Sequence, residues 1–353
     1  MTLQTTRRQI ANKVLILKTL CYKYYNAYIF WRGFVMNRNI TPIIEGGLLV
    51  AITVILGVAT VYLPLFGIIV DFFVAVPSAV LTARQGVGKG LSALFVSFIL
   101  LSLLISPLFS LRLCLNVGLC GVALGWGVRK NFNAVRIFFM TLVVASAAQV
   151  LSIAFLSFVM DVNLIDAQLK MVREAFDESF KMYESMGVDK ARIAEAQTNL
   201  DAGFKVLVFL IPTLLVLSSL LNAAAAYLTS QWIFPKLRMK MPQMPPFARW
   251  RFPSLFFYTA IVGGLGLYWG MTRGWTMIYE ISLNVLFVSM IIGLVQGFAV
   301  LIALANRFKL STIFRVVMCV LLFLSPFMWQ ATAILGLVDM IFDYRKKFLS
   351  DGR

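Results

Sequence analysis

The sequence contains no histidine. That removes the side chain most often used as a general base near neutral pH and as a neutral metal ligand. Cysteine is scarce too: Cys21, Cys114, Cys120 and Cys319 form no CxxC pair, and three of them lie inside apolar runs. Cys114 and Cys120 are six residues apart, which on a helix turns them in different directions, so all four read as unpaired thiols packed like small hydrophobes. Neither HExxH nor GxSxG occurs. The only close pair of carboxylates within an apolar stretch is Asp339 with Asp343, at a basic boundary. These absences argue against catalysis and imply neither metal nor cofactor.

Charge is sparse as well, at 13% of residues, while 60% are hydrophobic and the mean hydropathy is +0.87. Runs at 43–63, 90–106, 135–160, 204–227 and 281–305 each approach the roughly 20 apolar residues that cross a bilayer. The expected fold is all-α, a polytopic transmembrane helical bundle of about 8–10 spans with a helical hairpin outside the membrane. The formal charge of +17 sits in the connectors between runs. That placement satisfies the positive-inside rule and predicts a multi-pass membrane protein with its basic connectors on the cytoplasmic side. No basic stripe with interleaved aromatics appears on a soluble element, so nucleic acid is not an expected partner.

Residues 1–35 stand apart. Arg7-Arg8 is followed by Lys13, Lys18 and Lys23 rather than by an uninterrupted apolar core, so a twin-arginine signal is a poor reading. The preferred reading is a basic extension outside the native protein, with Met36 as the start. The competing one is an amphipathic segment lying on an anionic leaflet.

A six-span module is expected over 36–232. Thr41-Pro42 supplies a helix start, with Glu45 in the first turn where the dipole favours an anion. An uncharged turn at 63–67 leads to a short second span holding Asp71 near its start and Pro77 inside. Arg84 and Lys89 mark a cytoplasmic connector. The third span reaches Ser106-Pro107, and the fourth, about 108–128, contains Arg112 and Asn116. Arg129, Lys130 and Arg136 return the chain inside, and the fifth span ends near Met160. Between 161 and 201 acidic residues outnumber basic ones, and Ile165, Leu169, Val172, Phe176, Tyr183 and Met186 fall at helical spacing. This predicts an antiparallel hairpin over 161–203 with coiled-coil-like seams, Gly187 at its turn and Asp189 capping its second arm, on the outer side.

The loop 233–253 is the most basic connector, with five Lys or Arg and four Pro over 236–253. Membrane helices and a short basic tail follow over 254–353. Spans are expected at about 254–270 and 279–305. As one helix the last run, 311–342, would put Arg345-Lys346-Lys347 outside, against the charge rule; the preferred reading is that Pro326 splits it into two short legs that bring the C-terminus back to the cytoplasm. Gly86-Val87-Gly88-Lys89-Gly90 is no phosphate loop, because Ala83 and Gly90 stand where that motif needs Gly and Ser or Thr.

Small residues four apart recur at Gly47/Ala51, Gly121/Gly125, Gly266/Gly270 and Gly293/Gly297, a spacing that lets helix backbones approach closely in lipid. Most read as internal packing; Gly47/Ala51 can equally meet a partner subunit. Polar groups inside spans point more directly to function, since Asp or Arg at a helix centre costs about 2.5–3.5 kcal/mol. Asp71 and Arg112 either form a structural ion pair or, with Asn116 and Gln149, line an outward-facing solute pocket. Asn222, Asn284 and Gln296 read as interhelical hydrogen-bonding groups, and Asp339, Asp343 and Arg345 as interfacial pairs.

Five segments together resemble one family: Glu45-Gly46-Gly47-Leu48-Leu49-Val50-Ala51, Val76-Pro77 with Arg84-Gln85-Gly86, the Pro-Pro-Phe-x-x-Trp-x-x-Pro element at 245–253, Gln296-Gly297-Phe298-Ala299-Val300, and Gly336-Leu337-Val338-Asp339 with Phe342-Asp343-Tyr344-Arg345. They are similar to the YybS-like predicted bacterial membrane proteins, a domain of unknown function, over about 36–347. The first six spans also resemble the substrate-binding S-component of energy-coupling-factor vitamin transporters. That likeness implies a ligand pocket under the outer loops, with Asp71 and Arg112 lying beneath it, and a coupling partner at Gly47 and Ala51. The expected function is therefore a small-molecule-binding transporter component, with the hairpin as lid. The alternative is a non-transport membrane scaffold for envelope or division proteins, docked through that hairpin. The implied partners are the bilayer, a membrane protein and a small solute.

Overall fold

The computed structural model describes residues 42–63 and 66–345. The expectations for 1–35, the Met36 start, the Thr41 cap, Cys21 and the tail beyond 345 lie outside the described residues. Eleven α-helices make up the described chain: α1 Pro42–Tyr62, α2 Gly67–Gln85, α3 Val87–Leu104, α4 Pro107–Arg129, α5 Ala134–Met160, α6 Leu164–Ser185, α7 Lys190–Ile233, α8 Leu255–Arg273, α9 Thr276–Arg307, α10 Thr312–Leu324 and α11 Pro326–Phe342.

Local chemistry places many of the starts. The Ser106 hydroxyl accepts from the Phe109 amide with Pro107 at the first helical position, and Asn133, Asn163, Asp189 and Ser311 cap α5, α6, α7 and α10 in the same manner. Each such oxygen satisfies an amide that the helix itself cannot. Asp189 caps as expected, and Gly187 turns the hairpin with φ 83°.

Seven of these helices are long and apolar enough to cross a membrane. The pair Ile313–Leu322 and Phe327–Phe342, bent by 103°, adds an eighth if counted as one broken span. α2 is outside that set but runs antiparallel to α1 through the same depth. The Arg84 guanidinium and Gln85 amide at its end bond Glu45, and Gln85 also donates to the Pro42 carbonyl, in the first turn of α1.

α2 forms the centre of the first half, with Val74, Ala75, Ala79, Val80, Leu81 and Thr82 buried. α4 lies directly on it. A Cβ added at Gly121 or Gly125 would stand 2.2 and 2.3 Å from the carbonyl oxygens of Ala75 and Ala79, so only glycine allows this approach. In lipid, where apolar burial drives little association, such contact is what holds helices together. α4 is not one regular helix: residues Cys114–Gly118 form a π-helical turn.

In the second half α8 and α9 form an antiparallel hairpin with Gly270 against the Tyr279 backbone. α11 crosses α9 at a glycine-on-glycine contact, where a Cβ at Gly336 would meet the Gly293 carbonyl at 1.9 Å. Thr213 and Asn284 join α7 to α9, with a 2.6 Å hydroxyl-to-amide bond and a 2.7 Å bond from the Asn284 amide to the Phe209 carbonyl.

The basic connectors gather at one end. Arg129 donates to the Arg84 carbonyl at 3.0 Å, and Arg84 to the Leu237 carbonyl at 3.3 Å. Phe252 and Ala248 bond Gln296 and Arg345, which brings the ends of α9 and α11 to the same side. The hairpin stands at the opposite end, because α7 runs unbroken for 44 residues, about 66 Å, from Asp189 to the basic loop. Its expected coiled-coil seam is not realised along its length: no α6 residue is buried. Phe176 meets Phe204, and Arg173 pairs with Asp201, so contact concentrates at the base.

Candidate functional site

Asp71, Arg112, Asn116 and Gln149 come from three neighbouring helices. α2 and α4 run in parallel register, Ala75 on Gly121 and Ala79 on Gly125. Continued one turn outward, that register sets Asp71 level with the π-helical turn that carries Asn116. Arg112, exposed, lies one turn further out. No ion pair within 4 Å joins them, so the structural-pair reading is not what the structure shows. Gln149 is half-buried on α5, which packs against the same turn.

Asn116 is 7% exposed, and its side-chain oxygen is buried without a hydrogen-bond partner. Leaving such an acceptor unsatisfied costs about 1–3 kcal/mol. A π turn inserts one residue into the helical ladder and re-aims the side chains on it, and such turns are frequent at functional sites. Above this level, at the hairpin base, a cleft of about 480 Å³ is lined by Asp166, Lys170, Arg173, Asp201, Phe204 and Lys205, among others. Gly47 and Ala51 are exposed on α1, and nothing lies within 4 Å of a Cβ built at Gly47. Unlike the other small-residue pairs, this one packs against no helix of the described chain.

A second polar centre lies near the basic side. Asp339 is 1% exposed and Gln296 is fully buried. One Asp339 oxygen accepts from Gln296 at 2.8 Å and from Arg345 twice, at 3.0 and 3.1 Å. Arg345 also donates to the Ala248 carbonyl, and the Gln296 oxygen accepts from the Phe252 amide. Asp343, in the left-handed region with φ 47°, leaves the helix and pairs with Arg251 at 2.8 Å. The two carboxylates therefore do not share a face as their spacing of four suggested. Asp339 is not interfacial but sealed inside.

Residues 51–340 match the family described as predicted membrane protein, DUF2232. The chain belongs to this family. It is also 23% identical over 317 residues to an uncharacterized protein, YybS, of Bacillus subtilis (strain 168), covering 88% of this chain and 99% of the relative. No solved structure matches significantly. In this DUF2232 chain, three of the segments that carried the resemblance, at 245–253, 296–300 and 336–345, converge on the Gln296–Asp339–Arg345 cluster. Read singly, those residues suggested packing and surface pairs. The sequence signal for a common site was that Gln296 and Asp339 each lay within three residues of a small-residue contact, at Gly297 and Gly336, while nothing beside Arg345 marked it.

Proposed function

We propose that this DUF2232 protein is a binding component, not an enzyme, that captures a small polar solute at the outer side of a bacterial cytoplasmic membrane. The observation that carries the reading is the unpartnered Asn116 carbonyl on the π-helical turn of α4, level with Asp71 and one turn below Arg112. An acceptor and a carboxylate at one depth, with a guanidinium one turn further out, would bind a solute with both donor and acceptor groups. The resemblance of the first six spans to transporter S-components supports the same reading. So does the charged cleft at the hairpin base, which suits a lid. The bare Gly47/Ala51 face of α1 leaves room for a coupling subunit. The test is a thermal-shift screen of purified protein against polar metabolites. A stabilising solute whose effect disappears in Asp71→Ala, Arg112→Ala and Asn116→Ala supports capture; stabilisation that survives all three counts against it.

One observation favours a second reading, a scaffold for envelope proteins. α6 buries none of its residues and exposes Met171, Val172, Phe176, Met182 and Tyr183. Deleting 164–186 and comparing co-purified envelope proteins separates the two: solute binding retained with partners lost favours the scaffold.

A further inference from the structure

The basic ends of α9 and α11 enclose a cleft of about 270 Å³, separate from the outer polar group. Its walls are aliphatic, with Val300, Ala303 and Leu304 on one side and Leu335 on the other. Two guanidiniums border it, Arg307 and Arg345. An apolar slot that ends in cations at the depth where a basic loop meets the membrane has the character of a lipid site.

The two arginines differ. Arg345 is held in place: its side chain is 11% exposed and three of its N–H groups are engaged, two by Asp339 and one by the Ala248 carbonyl. A guanidinium has five such groups, so two remain to be shared with a ligand. Arg307 is exposed and forms no ion pair among the described residues. Asp339 neutralises Arg345, so among the described residues that line the cleft the surplus is the positive charge of Arg307. A phosphodiester carries one negative charge and several acceptor oxygens, which fits both the surplus and the fixed donors.

We propose that this cleft binds a glycerophospholipid of single negative charge, with an acyl chain along Val300, Ala303, Leu304 and Leu335 and its phosphodiester on Arg307 and Arg345. The site is independent of solute capture at Asn116.

The experiment is native mass spectrometry of the whole protein released from nanodiscs containing equal phosphatidylglycerol and phosphatidylcholine. The wild type is expected to retain phosphatidylglycerol preferentially. Arg307→Gln, at an exposed position that the fold does not need, should lower that preference about fivefold, the effect of one cation near a membrane surface. Ala303→Trp should fill the slot and reduce retention of both lipids, while Lys130→Gln, elsewhere on the basic side, should leave the preference unchanged. Equal retention of the two lipids by the wild type overturns the proposal. So does a loss in Lys130→Gln as large as that in Arg307→Gln, which would mean a diffuse surface charge.

Discussion

Gln296 and Asp339, 43 residues apart in sequence, are joined by a 2.8 Å hydrogen bond between two side chains closed off from solvent. Arg345 completes the charge balance, and the backbone of 248–252 bonds Gln296 at the Phe252 amide and Arg345 at the Ala248 carbonyl. The cluster thus ties three separate stretches of chain, the basic loop, α9 and α11, into one unit.

Removing one member of that cluster should be costly. Asp339→Ala leaves the Arg345 guanidinium without its counter-ion, and breaking a buried pair costs about 3–5 kcal/mol. Thermal unfolding in detergent should shift down strongly. The double variant Asp339→Asn/Arg345→Gln should lose less than the two single losses added together, because neither leaves an orphan charge. An Asp339→Ala protein with wild-type stability would show that the cluster does not hold the second half together.

The glycine contact between α9 and α11 makes a contrasting pair of substitutions. Gly336→Ala places a methyl 1.9 Å from the Gly293 carbonyl, whereas one at Gly264 meets nothing within 4 Å. Overpacking costs about 1–3 kcal/mol, so Gly336→Ala should destabilise measurably. Gly264→Ala should be neutral or slightly stabilising, since alanine is the better helix former.

The sequence carried the helices, the basic and acidic ends, and the cap at Asp189, because these depend on neighbours within a few residues. It carried the Gly121/Gly125 and Gly293/Gly297 approaches, since their spacing places both glycines on one helix face. The π turn at 114–118 was not legible: one extra residue in the ladder leaves no proline, glycine pair or charge as its mark. The position of Asp339 was misread for a related reason. Its spacing from Asp343 assumes that the helix continues, but the chain turns left-handed at Asp343, and the true partner on α9 is set by tertiary packing alone. The depth shared by Asp71 and Asn116 likewise depends on the register of α2 against α4.

Cysteine chemistry reports on the first half. Cys114 and Cys120 are buried free thiols. In a Cys21→Ser/Cys319→Ser background, a maleimide should label neither in the folded protein and both after denaturation. Rapid labelling of Cys114 in native protein would mean that the π-helical turn opens to solvent.

The two ends of the molecule should also separate by labelling. With the native cysteines replaced, Ser185→Cys on the hairpin should react with a membrane-impermeant reagent added outside intact cells. Lys240→Cys in the basic loop should react only after the membrane is opened. Labelling of both from outside would contradict the orientation given by the charge distribution.

Solute capture is tested most directly by mass spectrometry of the protein taken gently from its native membrane. The wild type should carry a small molecule of defined mass, and Asn116→Ala and Asp71→Ala should both emerge without it while remaining folded. A wild type that carries no such mass, or variants that retain it in full, would contradict the placement of a binding site at the π-helical turn of α4.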